Sequence, residues 1–285
     1  MASSISVANT IGTPYTSIDD PDISRPTAVT ASSSTMNGTP TARTTSPPYH
    51  DTSLSPSGYR SLSSIALHAF ALGTSLGLCV LLAPYLALHH NRLWRLPEFI
   101  ATLCIFHFLE FYTTARWNTP NARVSSFLLF SNGAAYNVAH ASAMVEIAVS
   151  SLLFPRWQAL GSSSLTLAVG AAMVVVGQVV RSVAMAEAGK SFNHIPQRKK
   201  RDDHVLVTSG VYAWVRHPSY FGYYYFAVGT QVVVGNKVCA LVYAGVLWVF
   251  FRNRIADEEQ YLIEFFGEEY VTFKKNVGTG LLFIK

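Results

Sequence analysis

The chain reads as an all-α integral membrane protein of about six transmembrane helices with a cytosolic-facing C-terminal catalytic region, and three observations predict it. Half of its 285 residues are hydrophobic and only 13% are charged, with a mean hydropathy of +0.26, a balance foreign to a soluble domain of this length. Apolar stretches near the length that crosses about 30 Å of hydrocarbon recur at 63–86, 97–114, 134–154, 163–187, 217–234 and 237–252. Polar residues crowd between the fourth and fifth stretches and again after the sixth, so two polar clusters flank one apolar hairpin.

Residues 1–60 are rich in Ser, Thr and Pro and poor in large apolar side chains. Such a segment cannot bury enough surface to offset the entropy of ordering, so a disordered tail is expected. No apolar run follows a basic start there, so no cleaved signal peptide is expected; the first apolar helix serves as the insertion signal and the tail stays cytosolic. That helix carries Gly73 and Gly77 at the four-residue spacing that lets two helix backbones approach, a candidate homodimer contact.

The second and third stretches carry His107 and Glu110, then Asn137, His140 and Glu146. Groups of this kind are costly against lipid and are expected to face inward. His107 and Glu110 lie three apart on one helical face, a spacing at which they could pair with each other in a structural role, with a ligand role as the alternative. The fifth and sixth stretches are joined only by Gly235 and Asn236 and must be antiparallel neighbours. Lys190, Arg198, Lys199, Lys200 and Arg201 follow the fourth stretch, and Arg252, Arg254, Lys274, Lys275 and Lys285 follow the sixth. The positive-inside rule puts both groups in the cytosol. The organisation expected is a tail at 1–60, four membrane helices over 61–187, and a catalytic region over 188–285.

Several function classes fall away. The net charge of +5 sits beside apolar runs and builds no continuous basic face, so no nucleic-acid partner is expected. Cys79, Cys104 and Cys239 each fall inside an apolar stretch without paired spacing and read as packing residues. His194, His204 and His217 lack the cysteines or fixed spacing of a zinc site, and no metal is expected. No GxGxxG or GxxxxGK[ST] motif is present.

The segment 190–222, KSFNHIPQRKKRDDHVLVTSGVYAWVRHPSYFG, is the longest polar interval between apolar stretches. Its β-branched run His204, Val205, Leu206, Val207 favours extended backbone, and Ser209-Gly210 favours a turn, an arrangement that presents main-chain groups to a ligand. Pro218 suits the first turn of the next helix, which puts Arg216 and His217 where free helix N–H groups begin. Beyond the hairpin, Arg254 and Glu258 lie four apart on one face of a helix that runs to Gly267.

RHPSYFG at 216–222, HVLVTSGVYAW before it and RNRIADEEQYLIEFFGEEYVTFKKNVGTGLLFIK after it resemble the protein-S-isoprenylcysteine O-methyltransferase family of the fungal, six-span kind. RHPxYxG followed by a paired-Glu helix is shared with phospholipid methyltransferases and, more loosely, sterol reductases; the C-terminal run narrows the choice. Leu282 stands where that family usually has proline, and the RKKR run at 198–201 falls where it is variable.

The resemblance implies an endoplasmic reticulum enzyme that methylates the carboxylate of a prenylated cysteine at a processed CaaX terminus. Its partners would be prenylated protein C-termini and membrane lipid. It implies that S-adenosylmethionine is held by Gln197, the His204 to Val207 backbone, Tyr212, His217, Pro218, Ser219, Tyr220 and Glu258, that Arg254 meets the substrate, and that Arg254 and Glu258 form the catalytic pair. A carboxylate is ionised at neutral pH, so its methylation needs alignment and not a general base. A phospholipid N-methyltransferase and a non-catalytic receptor for prenyl tails are the alternatives. An arginine beside an amine acceptor would repel its cationic precursor, which disfavours the first.

Overall fold

The computed structural model describes residues 51–160 and 162–284, and residues 52–284 belong to one folded unit. Residues 1–50 of the expected tail lie outside the described residues. Residues 52–60 are ordered, which moves the start of the fold upstream of the expected boundary. Thr52–Leu54 form a 3-10 turn, the Tyr59 carbonyl accepts the Val124 N–H at 3.0 Å, and the Arg123 guanidinium lies 4.9 Å over the Tyr59 ring. A composition average taken over the whole tail does not register local contacts such as those of Tyr59.

Eight α-helices follow among the described residues: α1 Leu62–Leu88, α2 Arg95–Trp117, α3 Ala134–Leu152, α4 Pro155–Ala159, α5 Ser164–Ala188, α6 Pro218–Val234, α7 Lys237–Phe266 and α8 Glu268–Asn276. Each of the six apolar stretches falls on a long helix. Side-chain caps start two of them: Ser61 accepts the Ser64 N–H at 3.2 Å ahead of α1, and Ser163 accepts the Thr166 N–H at 3.1 Å ahead of α5. Left-handed glycines close α6 at Gly235 (φ 73°) and α7 at Gly267 (φ 56°), a conformation side chains resist. Among the described residues, three helices are long and apolar enough to cross a membrane: Leu62–Leu88, the α5 segment Ser164–Ser191 and Lys237–Phe266. α2 carries Arg95, Glu98, Glu110 and Arg116, and α6 has only 17 residues.

Helices α5 and α6 touch backbone to backbone. A Cβ at Gly177 would meet the Phe226 N at 2.5 Å, and one at Gly222 would meet the Gly177 carbonyl at 2.5 Å and the Arg181 N at 2.7 Å. The same holds at Gly229, 3.0 Å from the Gly170 carbonyl. This contact sets the first turn of α6 directly against Arg181. By contrast, no described atom comes within 4 Å of a Cβ built at Gly73 or Gly77.

The His107–Glu110 pair that their spacing allows does not form. Both side chains are buried, as expected, but His107 Nδ1 bonds the Phe127 carbonyl at 2.8 Å and its Nε2 meets Tyr136 Oη at 3.2 Å. Glu110 is paired instead with Arg181 of α5. The His107 ring is engaged by Phe127 and Tyr136, whereas Arg181 offers Glu110 a fork that matches both carboxylate oxygens.

Glu146 of α3 also faces inward, as an acceptor for the start of α7. Its carboxylate takes the N–H groups of Lys237, Val238 and Cys239 at 2.8, 2.9 and 2.7 Å. Asn236, in the hairpin turn, donates to the Ala143 carbonyl at 3.0 Å and to Gln231 Oε1 at 2.9 Å. Three orphan helix donors and the turn are thereby satisfied from α3 and α6.

Candidate active site

The segment between α5 and α6 folds over the exits of α5 and α7 from the helical layer. Val205 N–H donates to Ser191 Oγ at 3.2 Å, Arg201 donates to the Lys190 carbonyl at 3.0 Å, and Lys200 Nζ caps the Phe265 carbonyl near the end of α7 at 2.6 Å. His204 packs edge-on against Phe265 and Phe266, at 6.0 and 5.4 Å between ring centroids. Burial and the neighbouring Arg201 push its imidazole below the usual histidine range. Gly210 adopts φ 61°, which turns the chain so that Val211 N–H reaches Glu187 Oε2 at 2.8 Å. Tyr212 then donates to the Ala184 carbonyl at 3.2 Å, and burial raises its hydroxyl well above the usual range.

This segment walls a cleft of about 110 Å³ that opens to solvent. His204, Val205, Leu206, Val207, Tyr212, His217, Pro218, Ser219, Tyr220 and Glu258 all line it. Gln197 lines a smaller adjoining cleft that shares His204 and Glu258. Eleven of the twelve residues singled out from sequence therefore line one or the other of two adjoining clefts. The twelfth, Arg254, lines neither cleft and reaches the group through Tyr220.

Tyr220 is the joint. Its hydroxyl donates to Glu258 Oε2 at 2.6 Å and accepts from Arg254 Nε at 3.1 Å. Its ring stacks on His217 (5.6 Å between centroids, 8° between planes) and on Phe251 (5.1 Å). Arg254 and Glu258, spaced for a direct ion pair, are instead bridged by this one hydroxyl. The second fork nitrogen of Arg254, NH2, donates to the His194 carbonyl, and NH1 has no partner among the described residues. One side of the guanidinium is fixed and the other is available.

Sequence reasoning missed the groups that hold this set from behind. Glu259 is 3% exposed and accepts from Arg216 Nε at 2.5 Å, His217 Nε2 at 3.1 Å and Lys274 Nζ at 2.5 Å. Arg216 also donates from NH1 to the Val277 carbonyl at 2.8 Å and from its main chain to the Gly278 carbonyl at 2.9 Å. The C-terminal segment thus straps the start of α6. Residue 282 is exposed and its carbonyl accepts from Trp248 Nε1 at 2.7 Å, so leucine in place of proline loses no contact there. The adjacent acidic pair Glu258-Glu259 was a signal for two roles, since successive helical residues point about 100° apart.

The polar atoms facing the cleft suit a ligand with a polar edge. Leu206 and Val207 make no main-chain hydrogen bond to any described residue, and the Ser219 N–H at the start of α6 is likewise unpaired among them. Among the described residues Glu258 accepts a hydrogen bond only from Tyr220, on the oxygen that also lies 3.9 Å from His217 Nδ1, which leaves lone pairs on its carboxylate. His194, His204 and His217 face separate partners, and no cluster of three metal-binding side chains occurs among the described residues.

The family model for isoprenylcysteine carboxyl methyltransferase (ICMT) matches residues 169–264. The protein-S-isoprenylcysteine O-methyltransferase of Saccharomyces cerevisiae is 43% identical over 226 residues, spanning 78% of this chain and 92% of that protein. The chain belongs to the isoprenylcysteine carboxyl methyltransferase family. The Homo sapiens protein-S-isoprenylcysteine O-methyltransferase is 45% identical over 187 residues, covering 66% of this chain and 64% of the relative. A solved structure of the eukaryotic intramembrane Ras methyltransferase ICMT superposes with a TM-score of 0.67 at 36% identity, covering 73% of this chain and 74% of that one. The family model covers α6 and nearly all of α5 and α7, the helices that carry Arg181, Tyr220, Arg254 and Glu258. The fold is that of a multi-pass, all-helical membrane methyltransferase.

Proposed function

We propose that this chain methylates the α-carboxylate of a prenylated cysteine at a protein C-terminus, with S-adenosylmethionine as methyl donor. Alongside the family membership, the observation that carries the reading is the Glu258–Tyr220–Arg254 chain. It links a carboxylate in the cleft to a guanidinium with one free nitrogen just outside it. A water-soluble cofactor and a lipid-borne substrate need neighbouring but separate approaches, and this arrangement supplies them.

Residues Gln197, His204 to Val207, Tyr212, His217 to Tyr220 and Glu258 would hold the cofactor, which when bound supplies a methyl group on an electrophilic sulfonium. The unpaired N–H groups of Leu206, Val207 and Ser219 donate to its polar edge, and Glu258 accepts from its donors. Arg254 NH1 holds one oxygen of the incoming carboxylate and leaves the other unpaired, so the nucleophile is aimed without being neutralised. The Tyr220 and His194 contacts prevent the guanidinium from swinging to grip both oxygens.

We infer six membrane crossings, by α1, α2, α3, α5, α6 and α7, in the endoplasmic reticulum membrane, with residues 189–217 and 253–284 facing the cytosol. We propose the modules read from sequence, membrane helices over 61–187 and a catalytic region over 188–285, with the described folded unit starting at Thr52. The open Gly73/Gly77 face of α1 is the proposed contact for a second copy, which cysteine crosslinking at residue 73 in membranes tests.

Membranes carrying the chain, labelled S-adenosylmethionine and N-acetyl-farnesylcysteine should yield a base-labile methyl ester. A base-stable lipid product in its place would establish phospholipid methylation, and cofactor-independent capture of the prenyl compound without turnover would establish a receptor.

A further inference from the structure

A second buried pair of charges lies behind the cleft, on helices that the proposed chemistry does not use. Glu110 of α2 is 0% exposed and Arg181 of α5 is 7% exposed. Ionisable groups at such depth in a membrane protein are expensive and mark functional positions by default. Arg181 binds both oxygens of Glu110 through Nε and NH2, the latter at 2.8 Å. The rings of Phe106 and Tyr223 flank its guanidinium at 5.6 and 5.3 Å. Only NH1 remains, and it donates to Ser219 Oγ at 2.9 Å and to the Ser219 carbonyl at 3.2 Å.

Ser219 lines the cleft. A hydroxyl has one proton and two lone pairs. Arg181 occupies a lone pair of Ser219 Oγ, and no described residue accepts its proton. The proton is therefore directed away from the guanidinium, and the cleft is the open direction. We propose that Arg181, aligned by Glu110, is a positioning residue that converts Ser219 Oγ into an oriented hydrogen-bond donor to the cofactor. A lysine at 181 keeps a charge for Glu110 but has no planar fork with which to hold Glu110 and Ser219 together. The inference rests on the reading that the cleft holds S-adenosylmethionine.

The test is a double-mutant cycle on purified full-length chain, reading equilibrium affinity for S-adenosylmethionine and KM for N-acetyl-farnesylcysteine. Ser219→Ala and Arg181→Lys should each weaken cofactor affinity by about five- to tenfold, the worth of one hydrogen bond, and the double variant should be no weaker than the worse single. KM for the prenyl compound should stay within about twofold of wild type, since that substrate is assigned to Arg254. Where Arg181→Lys does not fold, Glu110→Gln takes its place in the cycle, because it preserves shape while loosening the guanidinium. Additive losses, or an equal loss with and without Ser219, would show a mere helix anchor and overturn the proposal. An unchanged affinity in Arg181→Lys overturns it too. Failure of the wild-type chain to bind S-adenosylmethionine overturns the cofactor reading itself.

Discussion

Arg254 meets three distinct demands with three nitrogens: Nε is tied to Tyr220, NH2 to a main-chain carbonyl of the loop before α6, and NH1 is free. Arg254→Lys keeps the charge but replaces a planar fork with one mobile ammonium. Turnover should fall by at least about tenfold, since displacements near 1 Å cost on the order of a hundredfold in oriented reactions. Affinity for S-adenosylmethionine should barely move; full retention of turnover would mean that charge alone suffices. His194, whose carbonyl holds that fork, has its imidazole pushed down to about 4, first by burial, with Glu110 opposing and Arg181 and Arg254 adding to the fall. An unfolded histidine titrates near 6.5. The folded state therefore prefers the neutral ring, and stability intact above about pH 6.5 is lost as pH falls toward 4. His194→Gln, which keeps the carbonyl, should show a smaller drop in thermal midpoint between pH 7 and pH 5 than the wild-type chain; an identical drop would assign the acid sensitivity to other groups.

Among the elements, the α5–α6 contact is the least forgiving. Gly222→Leu would drive a branched side chain into main-chain atoms 2.5 and 2.7 Å from its first carbon. Overpacking of this kind costs about 1–3 kcal/mol where neighbours can shift, and here they are backbone. The variant should lose cofactor binding together with thermal stability, whereas Gly245→Leu, with nothing within 4 Å, should lose neither. Retention of both by Gly222→Leu would mean that the two helices can separate without disturbing the site. Helix positions, the Pro218 start and the Gly267 stop were legible because each is written in a local signal: hydropathy, a fixed φ, a left-handed turn. The cleft residues were legible through motif resemblance. Tertiary pairing was not. Glu110 finds its partner 71 positions away in Arg181, and Glu259 finds Arg216 across the hairpin; spacing along one helix carries no record of either. The Tyr220 bridge was hidden for the same reason, since Arg254 and Glu258 looked like a sufficient pair by themselves.

For the whole molecule, the described folded unit starts at Thr52, and the Ser/Thr/Pro-rich sequence upstream carries few large apolar side chains with which packing against the site would be expected. Deletion of residues 1–50 should leave membrane insertion and turnover within about twofold of wild type. Deletion through residue 60 should lower stability, because it removes the Tyr59 contacts to Val124 and Arg123. A loss of turnover in the shorter deletion, with expression preserved, would give the tail a catalytic role. The capture of the first three α7 donors by Glu146 reaches further than its own turn. Arg254 stands seventeen residues on, about 25 Å along the axis, yet its compass bearing is set where that carboxylate grips the helix. One alanine inserted after Gly245 would turn Arg254 and Glu258 by about 100° together, abolishing turnover with the grip intact. Removing one residue between the insertion and Arg252 should bring the bearing, and the activity, back; α7 behaves as a clockwork shaft whose hand is set from the opposite end.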